Sequence, residues 1–115
     1  MDKLEHYRDI IERELTTIVE QAEDSTIGPA GLRDKIVFDR RSDSYLILRE
    51  GWDGPRHIHG PFVSLEIING KVWLQVDHTN LRIAQRLEET GIPKSDIVLG
   101  FQPPQIRPYT EYAIA

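Results

Sequence analysis

His57 and His59 stand two residues apart, so an unbroken strand carries both on one face, and two imidazoles so placed are a start toward a divalent-metal site. Asp77 and His78 would add a carboxylate and a third imidazole if the fold returned them to the same place. Hydrogen bonding at strand ends or on the surface is the better account of these histidines. The turn read below sets Asp77 opposite Phe62 and His78 opposite Pro61, which leaves the His57–His59 pair beyond the paired stretch. Glu88 and Glu89 are adjacent, so on a helix they diverge by about 100° and do not converge on one substrate. Asp53 belongs to Asp53-Gly54-Pro55, where turn formation explains it better than general-base catalysis. There is no nucleophile elbow, phosphate-cradling glycine loop or EF-hand loop. The absence of cysteine excludes disulfides, thiolate ligands and thiol nucleophiles. Acid, base and anion hole form no recognisable set, so the expectation is a protein that is not an enzyme and needs no cofactor or metal.

Charge is more informative in its distribution than in its size. Of 115 residues, 14 are basic and 19 acidic, for a net charge of −5. Residues 2–24 hold eight acidic and three basic side chains, so the whole excess lies there and the rest is neutral. Nucleic-acid affinity rests on phosphate neutralisation, and a neutral body with an acidic appendage is poorly suited to strong autonomous DNA binding. Arg33, Lys35, Arg40 and Arg41 form the densest basic segment, but Asp34, Asp39 and Asp43 interleave with them, which suits a salt-laced surface better than a phosphate groove. The acidic segment reads most simply as a solvated helix face; its sharper reading is a surface, through Asp9, Glu12 and Glu20, that docks on a basic partner. Trp52, Trp73, Arg107 and Tyr109 are of the types that anchor interfaces and complete the partner-binding candidates.

Several elements must position these residues. Leu4, Tyr7, Ile11, Leu15, Ile18, Val19 and Ala22 recur at helical spacing over an arc of about 120°, with Asp2 at the favourable end of the dipole. Asp9 with Arg13, and Arg8 with Glu12, are spaced for pairing on its polar face. Ser25 to Gly31 reads as the following loop. Strands are expected over Lys35–Asp39 and Asp43–Arg49, with Arg40, Arg41 and Ser42 turning between them. A third begins near Arg56, is interrupted at Gly60-Pro61, where a bulge or an edge position is expected, and resumes from Phe62 to Ile68. Asn69-Gly70 suits a tight type I′ turn and pairs Ile67 with Val72, Leu65 with Leu74 and Val63 with Val76 on one apolar face. Glu66 with Trp73 and Ser64 with Gln75 then fall on the more polar face, where Trp73 either covers the first helix or meets a partner. Leu81–Thr90 reads as a second helix capped by Thr79 or Asp77 and stopped by Gly91 and Pro93. One further turn is expected over Pro93–Asp96, before an apolar stretch from Ile97 to Phe101. The tail Arg107–Ala113 is a closing edge strand or, less favoured, a docking tail.

Short strand connections imply an antiparallel meander, so the expected class is α+β: a long N-terminal helix packed on about four strands, with a second helix after the last. One domain, 1–115, is long enough to bury roughly two-thirds of its surface. No secretory signal or membrane span is visible, so the expected location is the cytoplasm.

Met1-Asp2-Lys3-Leu4-Glu5-His6-Tyr7, Gly51-Trp52 and His59-Gly60 resemble the XisI family of fdxN-element excision controlling factors. So do Asn69 to Asp77, Gly91-Ile92-Pro93-Lys94, Asp96 to Phe101 and Thr110-Glu111-Tyr112-Ala113, in order over essentially the whole chain. The pattern departs from the family at Asn80 and over Gln102-Pro103-Pro104. The resemblance implies a small cytoplasmic protein, of a mostly cyanobacterial family, encoded beside a XisH-like partner of nuclease-like fold. It also implies a regulatory part in DNA rearrangement during heterocyst development, where a separate recombinase cuts and joins. It supplies no catalytic residues. The expected function is therefore non-catalytic regulation through the XisH-like protein. The alternatives are a DNA-binding accessory factor and, last, a small metal-dependent enzyme using His57, His59 and Asp77. A homodimer through an edge strand or the first helix is compatible with the pattern.

Overall fold

The structure, a computed structural model, describes residues 2–23 and 31–115. Asp2 opens the first helix: its Oδ1 accepts the Leu4 N–H at 3.2 Å, satisfying one of the amides a helix start leaves without a partner. This helix, α1, runs Lys3–Glu23. The expected stripe is buried at Tyr7, Ile11, Leu15, Ile18 and Val19, with Leu4 packed at its margin. Ile10, which the stripe omitted, is buried too, because α1 touches a second helix as well as the sheet and so covers two adjoining faces. The expected loop Ser25–Gly31 lies outside the described residues apart from Gly31.

Five strands follow: β1 Leu32–Asp39, β2 Ser44–Asp53, β3 Arg56–Ile68, β4 Lys71–Asp77 and β5 Ile97–Leu99. They lie side by side in chain order, the first four antiparallel. β5, one strand more than the sequence reading counted, runs parallel to β4 and is reached through α2 (Ile83–Thr90). A parallel neighbour needs such a crossover, and the short apolar stretch after Asp96 supplies the strand. The core is a set of cross-strand rows beneath α1. Tyr45, Leu65 and Leu74 align in one, Ile47 and Val63 in another, and Ile67, Val72 and Ile97 in a third, all buried.

The Asn69-Gly70 turn forms with both residues at positive φ, 51° and 79°, and pairs Ile67 with Val72 and Leu65 with Leu74 as expected. Beyond them the register shifts. A bulge at Gln75 sets Ser64 opposite Val76 and Val63 opposite Asp77, so the Val63–Val76 and Ser64–Gln75 pairs do not form. Asp77 therefore does not face Phe62, and the His78 N–H donates to the Phe62 carbonyl instead of lying opposite Pro61. β3 runs unbroken through Gly60-Pro61 but carries its own bulge at Phe62, and Pro61 falls in the half paired only with β2.

α2 begins two residues later than expected, after Arg82 in a left-handed conformation, and has no side-chain cap. Asp77 and Thr79 cap the preceding turn instead: Asp77 Oδ1 accepts the Thr79 N–H and hydroxyl, and Thr79 Oγ1 accepts the Leu81 N–H. The stop at Gly91 is as expected, with Gly91 N–H on the Glu88 carbonyl and Ile92 N–H on that of Leu87. A 3₁₀ turn, Lys94–Asp96, leads into β5. The tail is not a closing strand. It holds a 3₁₀ turn, Arg107–Tyr109, and a single bridge from Ala113 to Val98. Pro103, Pro104 and Pro108 lack the amide hydrogens a strand ladder needs, and Glu111 at φ 72° bends the chain.

Two carboxylates tie α1 to the sheet. Asp43 accepts Arg8 Nε and Nη2 at 2.8 and 3.2 Å and the Tyr45 hydroxyl at 3.0 Å. Asp96 accepts the Tyr7 hydroxyl and pairs with Lys3 Nζ at 3.0 Å. The Arg8 hydrogen bond holds Asp43, and the Tyr7 hydrogen bond holds Asp96, below the usual carboxylate range. In the unfolded chain both titrate near pH ~4, so their stabilising contribution is complete above that pH and is lost as pH falls through the lower folded values. Denaturant titrations should show stability dropping below about pH 4. Asp43→Asn should be less stable than the parent at pH 7, with the gap closing toward pH ~2; a gap independent of pH would show that Asp43 contributes no such linkage.

Candidate partner-binding surface

The acidic face of α1 is largely satisfied within the chain. Arg40, in the β1–β2 turn, places Nε on Glu12 at 2.7 Å, Nη1 on Glu5 at 2.9 Å and Nη2 on Asp9 at 2.8 Å. Arg8 pairs with Glu5 and Asp43, and Arg86 of α2 with Glu14. The expected pairs along the helix, Asp9 with Arg13 and Arg8 with Glu12, give way to these pairings, most of them between elements, because the β1–β2 turn brings a guanidinium over the helix. Of the three acidic candidates, Asp9 and Glu12 hold Arg40 while Glu20 is exposed to solvent. The basic segment divides as well: Arg33 and Lys35 lie on the sheet face away from α1, while Arg40 turns toward the helix, so no single phosphate groove forms.

The histidines gather other residues than those expected. His57 faces Trp52 across the β2–β3 ladder and stacks on its indole with ring centroids 4.6 Å apart. His59 faces Glu50, with Nε2 3.7 Å from Oε2. Glu50 also takes Arg33 Nε and Nη2 at 3.0 and 2.7 Å, and that pairing, chiefly the hydrogen bond, holds its carboxyl below the usual range. His57, His59, Glu50 and Arg33, with Gly31, Leu32 and Gly51, line an open cavity of about 470 Å³. Asp77 sits opposite Val63, far along β3, so His57, His59 and Asp77 do not meet. Among the described residues no three His, Asp or Glu side chains are arranged to hold a metal ion.

The strongest concentration of interface-type side chains is at the tail. Trp73 faces away from α1, since its neighbours Val72 and Leu74 point into the core. The Arg107 guanidinium lies 5.0 Å from its ring centroid, and Arg107 Nε and Nη2 donate to the carbonyls of Gln102 and Gly100 at 3.1 and 3.4 Å. Gly100 permits this approach, because a Cβ there would collide with the Gln75 side chain and press on the Trp73 ring. Val98, fully buried, lies outside the main core cluster, on the Trp73 side of the sheet. The Tyr112 hydroxyl holds Glu88 at 2.7 Å, and burial, then the Glu88 carboxylate, push that phenol up to about 12. Fixed in this way, the tail presents Phe101, Ile106 and Tyr109 to solvent, Tyr109 at 83% exposure. Trp73 and Arg107 thus share one site, with Tyr109 two residues on in the same 3₁₀ turn, while Trp52, 56% exposed, marks the other end of the sheet face that carries Trp73. Phe101 and Ile106 were not singled out from the sequence; the prolines beside them were the signal that this apolar stretch could not be wholly absorbed by the sheet.

A long helix laid on one face of a five-stranded sheet, with an aromatic surface on the other, defines a two-layer α+β domain. Among the described residues no helix is long and apolar enough to cross a membrane. The family model for XisI protein matches residues 1–114, and the chain belongs to the XisI family. It is similar to the fdxN element excision controlling factor XisI from Anabaena variabilis ATCC 29413 in its crystal structure. The two are 39% identical, with 99% of this chain and 100% of that one covered and a TM-score of 0.79. A XisI-like protein from the same organism is 28% identical over the same shares, with a TM-score of 0.85. No curated protein is a significant match.

Proposed function

We propose that this protein is a non-catalytic regulator of DNA element excision that works by binding a XisH-like protein of nuclease-like fold. The observation that carries the reading is the tail surface, where Arg107 clamped on Trp73 fixes a segment exposing Phe101, Ile106 and Tyr109. Rigid exposed aromatics beside an arginine are what protein interfaces bury at their centres. The name of the similar Anabaena protein, a controlling factor, supports regulation over cutting. Because Arg40 already occupies Asp9 and Glu12, we place the contact on the tail ahead of the α1 face. The test is calorimetry of the purified protein with the XisH-like product of a neighbouring gene. We expect association, with Tyr109→Ala and Phe101→Ala each weakening it about tenfold or more while thermal unfolding stays unchanged. Absence of any complex would remove the proposal; a complex indifferent to both variants would move the contact off the tail.

A further inference from the structure

The sheet carries an apolar row on the face that α1 does not cover. Val37, Leu46, Ser64 and Val76 stand side by side across β1 to β4, and Leu48 stands beside Pro61 in the next row. Alternation sets this face against the core, into which Tyr45, Ile47, Val63 and Leu65 point. The solvated face of an antiparallel sheet is ordinarily polar. Near the tail this face is closed, with Val98 fully buried; over β1 and β2 it stays open, with Val37 38% exposed and Leu46 and Leu48 partly so. Two charges flank the row diagonally. Lys35 lies on β1 in the row of Leu48, and Glu66 lies on β3 in the row of Ser44, on the other side of Leu46. Among the described residues neither makes an ion pair. Glu66 accepts the Gln75 amide at 3.4 Å, and Glu50, one row along from Lys35, is already taken by Arg33.

We propose that two copies of this protein stack these faces about a two-fold axis that lies between the sheets and crosses Leu46 obliquely, so that Lys35 of each copy meets Glu66 of the other. A closed two-fold needs a patch that is its own complement. An open apolar row with one unspent cation and one unspent carboxylate on opposite sides of its middle is such a patch. The charges also select the axis. An axis along the strands through Leu46 exchanges β1 with β3 and sets Glu66 on Asp39, carboxylate on carboxylate. An axis across the strands sets Glu66 on Pro61, where it has no partner, and Lys35 on Asp39, which already holds the Arg41 N–H and the Ser42 hydroxyl. The oblique axis pairs Lys35 with Glu66 twice and closes Leu46 on its copy. With ordinary strand spacing and rise, the strands of the two sheets then cross at about 70°, near the orthogonal class of sheet packing. The tail, tied to Val98 and Trp73, flanks β4 and β5 and leaves β1 to β3 open to the second copy.

Charge exchange tests the pairing, since both side chains lie on the outer face and can change sign without entering the core. Sedimentation equilibrium should give twice the 13.3 kDa chain mass for the parent. Lys35→Glu sets carboxylate on carboxylate and Glu66→Lys sets amine on amine, each at two places, so each should weaken the dimer by about tenfold. The double variant Lys35→Glu/Glu66→Lys restores opposite charges and should return to the parent's dimer constant. All three should keep the parent's thermal unfolding when measured as monomers. A parent that stays monomeric up to about 100 μM, two orders above a micromolar constant, would overturn the proposal. So would a dimer that the single variants leave unchanged, or one that they weaken and the double variant fails to restore.

Discussion

Leu65→Ala should remove about 3–5 kcal/mol of folding free energy, a large share of the 5–15 kcal/mol typical of a domain. Leu65 is fully buried and sits between Tyr45 and Leu74 in the central row of the core, both themselves buried. Deleting the isobutyl group forfeits its transfer free energy and leaves a void that sheet neighbours, fixed by ladder hydrogen bonds, collapse into only slightly. Leu65→Met keeps the volume and should cost less than about 1.5 kcal/mol. Urea titrations of the two variants test this directly. A Leu65→Ala cost near that of the methionine variant would mean that the site is not packed as described.

Gly51→Ala should be comparably damaging for an entirely different reason. Gly51 has φ 136°, a conformation residues with a Cβ rarely adopt. A Cβ there would also lie inside the van der Waals envelope of the Gly31 carbonyl oxygen, which itself accepts the Trp52 N–H at 3.2 Å. Backbone strain and overpacking of this kind each cost about 1–3 kcal/mol. Relief requires the start of β1 to part from the end of β2, so the stack of Trp52 on His57 should loosen with it. The expected result is a loss of about 3 kcal/mol together with a change in native-state tryptophan emission. Gly54→Ala is the control: at φ 59° it is strained but has no atoms nearby, so it should cost only about 1 kcal/mol. Equal costs at the two glycines would mean that the contact with Gly31 is not made.

Much of the architecture was legible because it is local. The stripe on α1, the Asn69-Gly70 turn and the Gly91 stop follow from side-chain periodicity and from which residues tolerate positive φ. Where the reading failed, the deciding partner was distant in sequence. The bulge at Gln75 lies among residues that alternate as well without it, so nothing in Lys71–Asp77 announces a shift. The fifth strand depended on a crossover that returns Ile97–Leu99 to β4. Ile10 falls outside the stripe read from the sequence and is buried in a fold where α1 meets α2 as well as the sheet.

The candidate surface divides in the same way. Residue type alone picked out Trp52, Trp73, Arg107 and Tyr109, and sequence similarity carried the family. The excess of negative charge on the first segment was equally plain from composition, and it suggested a free acidic face. Only the folded chain shows Arg40 reaching from the β1–β2 turn to Glu5, Asp9 and Glu12, and Arg107 reaching from the tail to Trp73. A sequence sets which side chains exist and how neighbours along the chain alternate. Whether a charge is free or spent depends on groups 28 to 35 residues away in the case of Arg40, and their approach is an outcome of packing the whole core.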